Sequence, residues 1–227
     1  MQTVEADLGG LVQERWASAT LLVGEQLNSQ LVFWSLGGSG PELVDSAALA
    51  ADQMNLGNAK SYFRRTGAGG APEVWEWSDG EAGSTQLVYS PGAGSGVLTV
   101  RATATRLWWT VGVSATPQPG FSKIELYTAE LPLPALPIAA LQPVAELSTS
   151  MADSAASSSH YAYHDAASGS ESLRVVSVAG NETVVAIPDA AGGVDRVEFF
   201  GNDGEVNNSL WFSSGLGMFR LTVPLPP

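Results

Sequence analysis

Five times along the chain an aromatic-rich segment runs into a turn of Gly, Ser or Pro and leaves it as a second apolar segment. Residues 30–35 (QLVFWS) pass through 37–41 (GGSGP) into 42–44 (ELV). Residues 61–64 (SYFR) pass through the glycines at 67–70 into 72–77 (PEVWEW). Residues 106–111 (RLWWTV) lead through 117–120 into 124–127 (IELY), and 160–164 (HYAYH) through 168–170 into 173–178 (LRVVSV). The last unit runs from 209–213 (SLWFS) through 215–217 (GLG) into 219–223 (FRLTV). Short apolar runs rich in aromatic and β-branched residues, bounded by turn residues, read as strands; two around one turn read as a hairpin. The chain is therefore expected to be all-β. Its composition agrees: only 15% of residues are charged, and 25 Gly and 13 Pro punctuate 227 positions, where a helical protein would carry more charge on its exposed faces.

Further strand candidates lie between the hairpins. Residues 20–23, 97–101, 144–147 and 194–200 precede an aromatic strand, whereas 86–89 and 183–187 follow a hairpin. The resulting order is strand, aromatic strand, turn, strand, outer strand, and it repeats about every 45 residues, a spacing that fits four-stranded antiparallel units arranged radially. Residues 106–131, 160–178 and 210–223 resemble the middle strands of the broad TolB-like and WD40-like class of β-propeller blades. The resemblance implies a small propeller of about five four-stranded antiparallel blades, with residues 1–227 as one domain. It implies no activity, because neither a Trp-Asp nor a Gly-His repeat signature accompanies it. The segment Gln2 to Leu8 is expected to close the ring by pairing with Phe219 to Val223 of the last blade. Three other architectures remain open: two β-sandwich domains split at the Pro-rich stretch 131–143, a single irregular sandwich, or a piece of a larger propeller.

Charge and cysteine content narrow the function. A formal net charge of −13, with Lys60 and Lys123 the only lysines, disfavours nucleic acid and anionic membrane as partners. No stretch of 18 apolar residues is present, so membrane insertion is not expected. Zero Cys removes disulfides, Cys-ligated zinc, iron–sulfur clusters and a Cys nucleophile. The N-terminus has no basic region followed by an apolar run. The compartment is read as cytoplasmic, or as extracellular or periplasmic if a leader has been removed. No phosphate-binding loop and no Gly-x-Ser-x-Gly elbow occurs.

The expected function is non-enzymatic binding or scaffolding, with a protein partner or a carbohydrate as ligand and no cofactor. The binding candidates are Trp75, Trp77, Trp108, His160 and His164. Strand alternation puts Trp75, Trp77 and Glu73 on one face, and rings beside a carboxylate suit a neutral glycan or a basic protein patch. His160 and His164 have a helix-like spacing, but Tyr161 and Tyr163 favour a strand, which holds the two rings about 13 Å apart, too far for one metal ion. No metal site is expected, and the two histidines are read as polar residues on a solvated strand face. The alternative function is a glycosidase-like hydrolase with carboxylates on the central axis, for which Glu146, Asp195 and Glu198 are the candidates.

Overall fold

A computed structural model describes residues 11–16, 21–26, 31–35, 42–45, 48–54, 60–78, 84–114, 120–139, 141–167, 171–187, 193–200, 209–220 and 226–227. Among these residues there are nineteen strands and no helix. Among the described residues no helix is long and apolar enough to cross a membrane. The strands form five antiparallel sheets that follow one another along the chain. The first comprises β1 (Leu11–Trp16), β2 (Leu21–Gln26), β3 (Leu31–Ser35) and β4 (Glu42–Asp45). The second comprises β5 (Ala48–Met54), β6 (Lys60–Thr66), β7 (Pro72–Ser78) and β8 (Thr85–Tyr89). The third comprises β9 (Ser95–Ala102), β10 (Arg106–Val113), β11 (Lys123–Glu130) and β12 (Ala145–Leu147). The fourth comprises β13 (Met151–Ala156), β14 (His160–Asp165), β15 (Ser172–Ser177) and β16 (Glu182–Ala186). The fifth comprises β17 (Arg196–Phe200), β18 (Ser209–Ser214) and β19 (Gly217–Arg220). Each is a meander in which sequence neighbours pair. All five expected hairpins are present, as β3–β4, β6–β7, β10–β11, β14–β15 and β18–β19.

Alternation along the aromatic strands explains how the sheets pack. In β10, Leu107, Trp109 and Val111 point toward the second sheet and join Tyr62, Val74 and Val88. Trp108 points the other way and meets Ile124, Leu126, Tyr161 and Tyr163 at the boundary with the fourth sheet. In β6, Phe63 faces Phe33 of the first sheet while Tyr62 faces the third. Leu173 and Val175 of β15 meet Val197, Leu210 and Phe212 of the fifth sheet. A strand whose two faces are both buried needs large apolar side chains at consecutive positions, and this is what Trp108-Trp109 and Tyr62-Phe63 provide. The core is thus four successive apolar layers between sheets. β5 lies against β9, β9 against β13, and β13 against β17, so the leading strands of successive sheets abut.

Four expectations are corrected. Residues 144–147 do not lead the fourth sheet; β12 is the outer strand of the third, with Ile124 opposite Leu147. The fourth sheet is led instead by β13, whose sequence MADSAA carries no aromatic or β-branched residue. The Ala-rich strand β5 was likewise not expected, and β1 puts the aromatic β3 third in its sheet instead of second. Strands β5 and β13 are poor in aromatic and β-branched residues, so their β-propensity signal is weak. Finally, residues 131–143 are not a linker between two sandwiches. Leu131, Leu133, Leu136, Ile138 and Leu141 pack on the layer between the second and third sheets. The Ile138 N–H donates to the Val88 carbonyl at 2.7 Å, so this strap covers the edge strand β8. The expected pairing of Gln2 to Leu8 with residues 219–223 lies largely outside the described residues.

Candidate binding surface on the second sheet

The five candidate residues have different fates. Trp77 and Trp108 are 0% exposed and belong to the core, which corrects their reading as surface rings. Trp77 packs on Phe33 in a tilted arrangement at a centroid distance of 4.9 Å, and Trp108 Nε1 donates to the Ser157 carbonyl at 2.9 Å. His160 and His164 lie on a strand, as expected, but their face is not solvated: His164 is 4% exposed. Its Nε2 stands 3.6 Å from Glu171 Oε2, and neither ring nitrogen has a hydrogen-bond partner among the described residues. His160 is half-buried, with Nε2 2.6 Å from the Pro226 carbonyl and Nδ1 2.8 Å from Ser159 Oγ. Among the described residues, no group of three or more His, Asp or Glu could hold a metal ion. Trp75 alone keeps a half-exposed indole beside other polar groups.

Around Trp75 the β6–β7 hairpin assembles a polar and aromatic cluster. The turn closes at Thr66 opposite Pro72, which places Arg65 opposite Glu73 and Phe63 opposite Trp75. Arg65 is therefore a diagonal neighbour of Trp75 and lays its guanidinium over the ring, 4.2 Å from the centroid. The same guanidinium reaches the buried Asp45 of the first sheet, Nε to Oδ2 3.2 Å. Glu73 accepts from Trp75 Nε1 at 3.0 Å and from Ser90 Oγ at 2.7 Å. A Cβ at Gly67 would stand 2.3 Å from the Glu73 carboxyl carbon, so glycine there lets the carboxylate fold over the turn. The body of Trp75 packs on the Phe33–Phe63–Trp77 layer. A sugar could stack on the guanidinium-covered face only by displacing Arg65. Arg65 was not among the expected residues, although counting outward from the turn would have placed it beside Glu73 and Trp75.

The acids considered for chemistry do not converge. Glu146 is on the outer strand β12 and exposed, Asp195 is exposed ahead of β17, and Glu198 pairs with Arg196 at 2.6 Å. On the leading strands Asp153 accepts from the Val197 N–H at 2.6 Å and stands 4.0 Å from Arg101. Arg101 Nε also donates to the Ser154 carbonyl at 2.9 Å, so this carboxylate–guanidinium pair ties β9, β13 and β17 together. Beside the fifth sheet, Arg196, Glu198, Trp211, Phe212, Ser213 and Met218 line an open cavity of about 200 Å3.

Tyrosines at the sheet boundaries titrate unusually. Burial pushes the Tyr127 hydroxyl well above the ordinary tyrosine range, and its donation to Glu125 at 2.7 Å raises it further. Burial also raises Tyr163, against a smaller opposing pull from the Ser148 backbone. Unfolded tyrosine ionises near pH ~10, so above that the unfolded chain sheds protons the folded chain retains. The stability is fully present below about pH 10 and falls as pH rises past it. Urea midpoints at pH 8 and at about pH 11 should show the drop, and Tyr127→Phe should make it smaller. An equal drop in the variant would remove Tyr127 as a source.

No protein-family model matches the chain, and no curated protein sequence matches it. Solved structures do. An acylaminoacyl peptidase, solved with Z-Gly-Gly-Phe-chloromethyl ketone, superposes with a TM-score of 0.57 over 91% of this chain at 10% identity. TolB from Acinetobacter baumannii superposes with a TM-score of 0.54 over 96% of this chain, also at 10% identity. The fold is a β-propeller. The present propeller spans 38% of the peptidase chain and 56% of the TolB chain. At this identity the likeness concerns architecture, and the successive sheets described above are its blades. In a propeller the double-sided aromatics are inter-blade core, which accounts for Trp77 and Trp108. Trp75 differs because it lies nearer the β6–β7 turn, where the blade's flank opens to solvent.

Proposed function

We propose that this propeller is a non-enzymatic binding module whose ligand is a protein with a basic surface, engaged at Arg65, Glu73 and Trp75. The observation that carries the reading is the Arg65–Trp75 stack. A half-exposed Trp held in place by an Arg presents the two residue types that dominate protein interfaces, already ordered. Two further features support it. The net charge of −13 favours encounter with a basic partner. The leading-strand acid Asp153 is engaged in holding blades together. A glycan ligand is the weaker reading, because one face of the ring already carries Arg65.

The test is a pull-down from the native source with the whole chain, run beside a glycan array. A protein should be retained by the wild type and lost by Trp75→Ala. Arg65→Lys keeps a cation for Asp45 but loses the guanidinium over the ring, and it should weaken retention about tenfold while leaving the fold intact. Retention unchanged in both variants, or a glycan bound with Trp75-dependence and no protein, would overturn the proposal.

A further inference from the structure

One end of the fourth blade holds a proline pair. The loop Ser157–His160 and the turn Ser177–Asn181 lie side by side there, joined by the Val178 N–H donating to the Ser159 carbonyl at 3.0 Å. The Pro226 carbonyl oxygen sits 2.6 Å from His160 Nε2, and Asn181 Nδ2 donates to the Pro227 oxygen at 2.9 Å. Pro226 is buried and Pro227 exposed. The two donors come from different hairpin ends, more than 40 residues from the prolines they hold.

The chemistry of the pair is one-sided. Proline has no N–H, so a Pro-Pro segment offers acceptors only, and its extended geometry is preformed. A surface that recognises it must offer donors only. His160 meets this condition: a carbonyl at Nε2 requires the hydrogen on that nitrogen. In the neutral ring Nδ1 then accepts from the Ser159 hydroxyl, 2.8 Å away. Asn181 contributes its NH2. The loop is held rigid by its neighbours. Trp108 Nε1 donates to the Ser157 carbonyl at 2.9 Å and Arg106 Nε to the Ser158 carbonyl at 2.7 Å. The His160 N–H donates to Ser157 Oγ at 3.0 Å. Val178, on the same turn as Asn181, is 40% exposed and adds apolar surface beside the donors.

We propose that this end of the fourth blade is a recognition site for an extended proline pair, filled in this chain by Pro226-Pro227 and able to accept a proline-rich peptide when those residues are displaced. The site is separate from the Arg65 surface and does not rest on its role. Tethering gives the resident prolines a high local concentration, so a free peptide competes poorly with them and binds once they are removed.

The chain has two histidines, so each ring is distinct in a nitrogen-15 NMR spectrum. In the wild-type full chain His160 should be fixed as the Nε2–H tautomer, with the buried His164 as internal reference. Pro226→Asp places a charge where a buried ring stood and should release the proline pair, shifting the His160 signals. Adding the capped tetrapeptide Pro-Leu-Pro-Pro at millimolar concentration should restore the wild-type signals. The same peptide should bind about tenfold more weakly when Asn181→Ala is added, through loss of one hydrogen bond. His160 signals unchanged by Pro226→Asp, or unmoved by saturating peptide, would overturn the proposal. If Pro226→Asp does not fold, Asn181→Ala alone decides. It should speed exchange of the His160 Nε2 proton with water, and an unchanged rate would count against the site.

Discussion

Replacing Trp108 by Ala is expected to lower stability by about 3–5 kcal/mol, the cost of emptying a fully buried aromatic site. The indole is 0% exposed and packs on Tyr161 at a centroid distance of 5.9 Å across the boundary between third and fourth blades. Its removal leaves a cavity lined by Ile124, Leu126, Leu147 and Tyr163 on strands that cannot all collapse into it. It also leaves the Ser157 carbonyl without the Nε1 donor. Trp108→Phe separates the two terms. It keeps most of the ring and should cost about 1–3 kcal/mol, the loss associated with an unmet buried acceptor plus a smaller void. Urea midpoints with unchanged slopes would measure both. A Trp108→Ala variant as stable as Trp108→Phe would mean that the hydrogen bond, and not the packing, joins these blades.

Gly180→Ala is expected to cost about 2 kcal/mol or more, although it adds a single methyl group to a surface turn. Gly180 has φ +82°, a left-handed conformation in which a Cβ meets the following backbone. A Cβ at this position would also stand 2.6 Å from the Val144 carbonyl oxygen of the preceding blade. Backbone cannot swing aside as a long side chain can, so the turn and the Val144 segment must separate. Gly70 provides the control: its φ of +81° is nearly the same, but a Cβ there would meet nothing within 4 Å. Gly70→Ala should therefore lose only the conformational part, about 1–2 kcal/mol. Equal thermal shifts for the two variants would show that the contact with Val144 is relieved without cost.

Much of the architecture was legible because it is local. Each hairpin spans fewer than about 30 residues, and its register follows from turn residues and a two-residue alternation that needs no knowledge of neighbours. The weak points were equally local. Strands β5 and β13, rich in Ala and without aromatic or β-branched residues, carry little propensity signal, and it is pairing with the aromatic strands β6 and β14 that makes them strands. The candidate surface was half legible. Glu73 and Trp75 share a face by alternation, whereas the partition between Trp75 and Trp77 follows from which of them the first blade covers.

What the amino-acid order determined by itself is an all-β chain of repeated aromatic hairpins with a strongly acidic balance. These properties rest on interactions among near neighbours and on simple charge count. Tertiary structure decided the rest. It buried Trp77 and Trp108, wrapped the Pro-rich segment 131–143 over β8, and brought Arg65 to Asp45 of the first blade. It also brought Pro226-Pro227 to His160 and Asn181. Each of these depends on groups that come together only when one blade packs on another. Burial and pairing across such distances are set by the summed packing of whole sheets, and no short stretch of sequence encodes them.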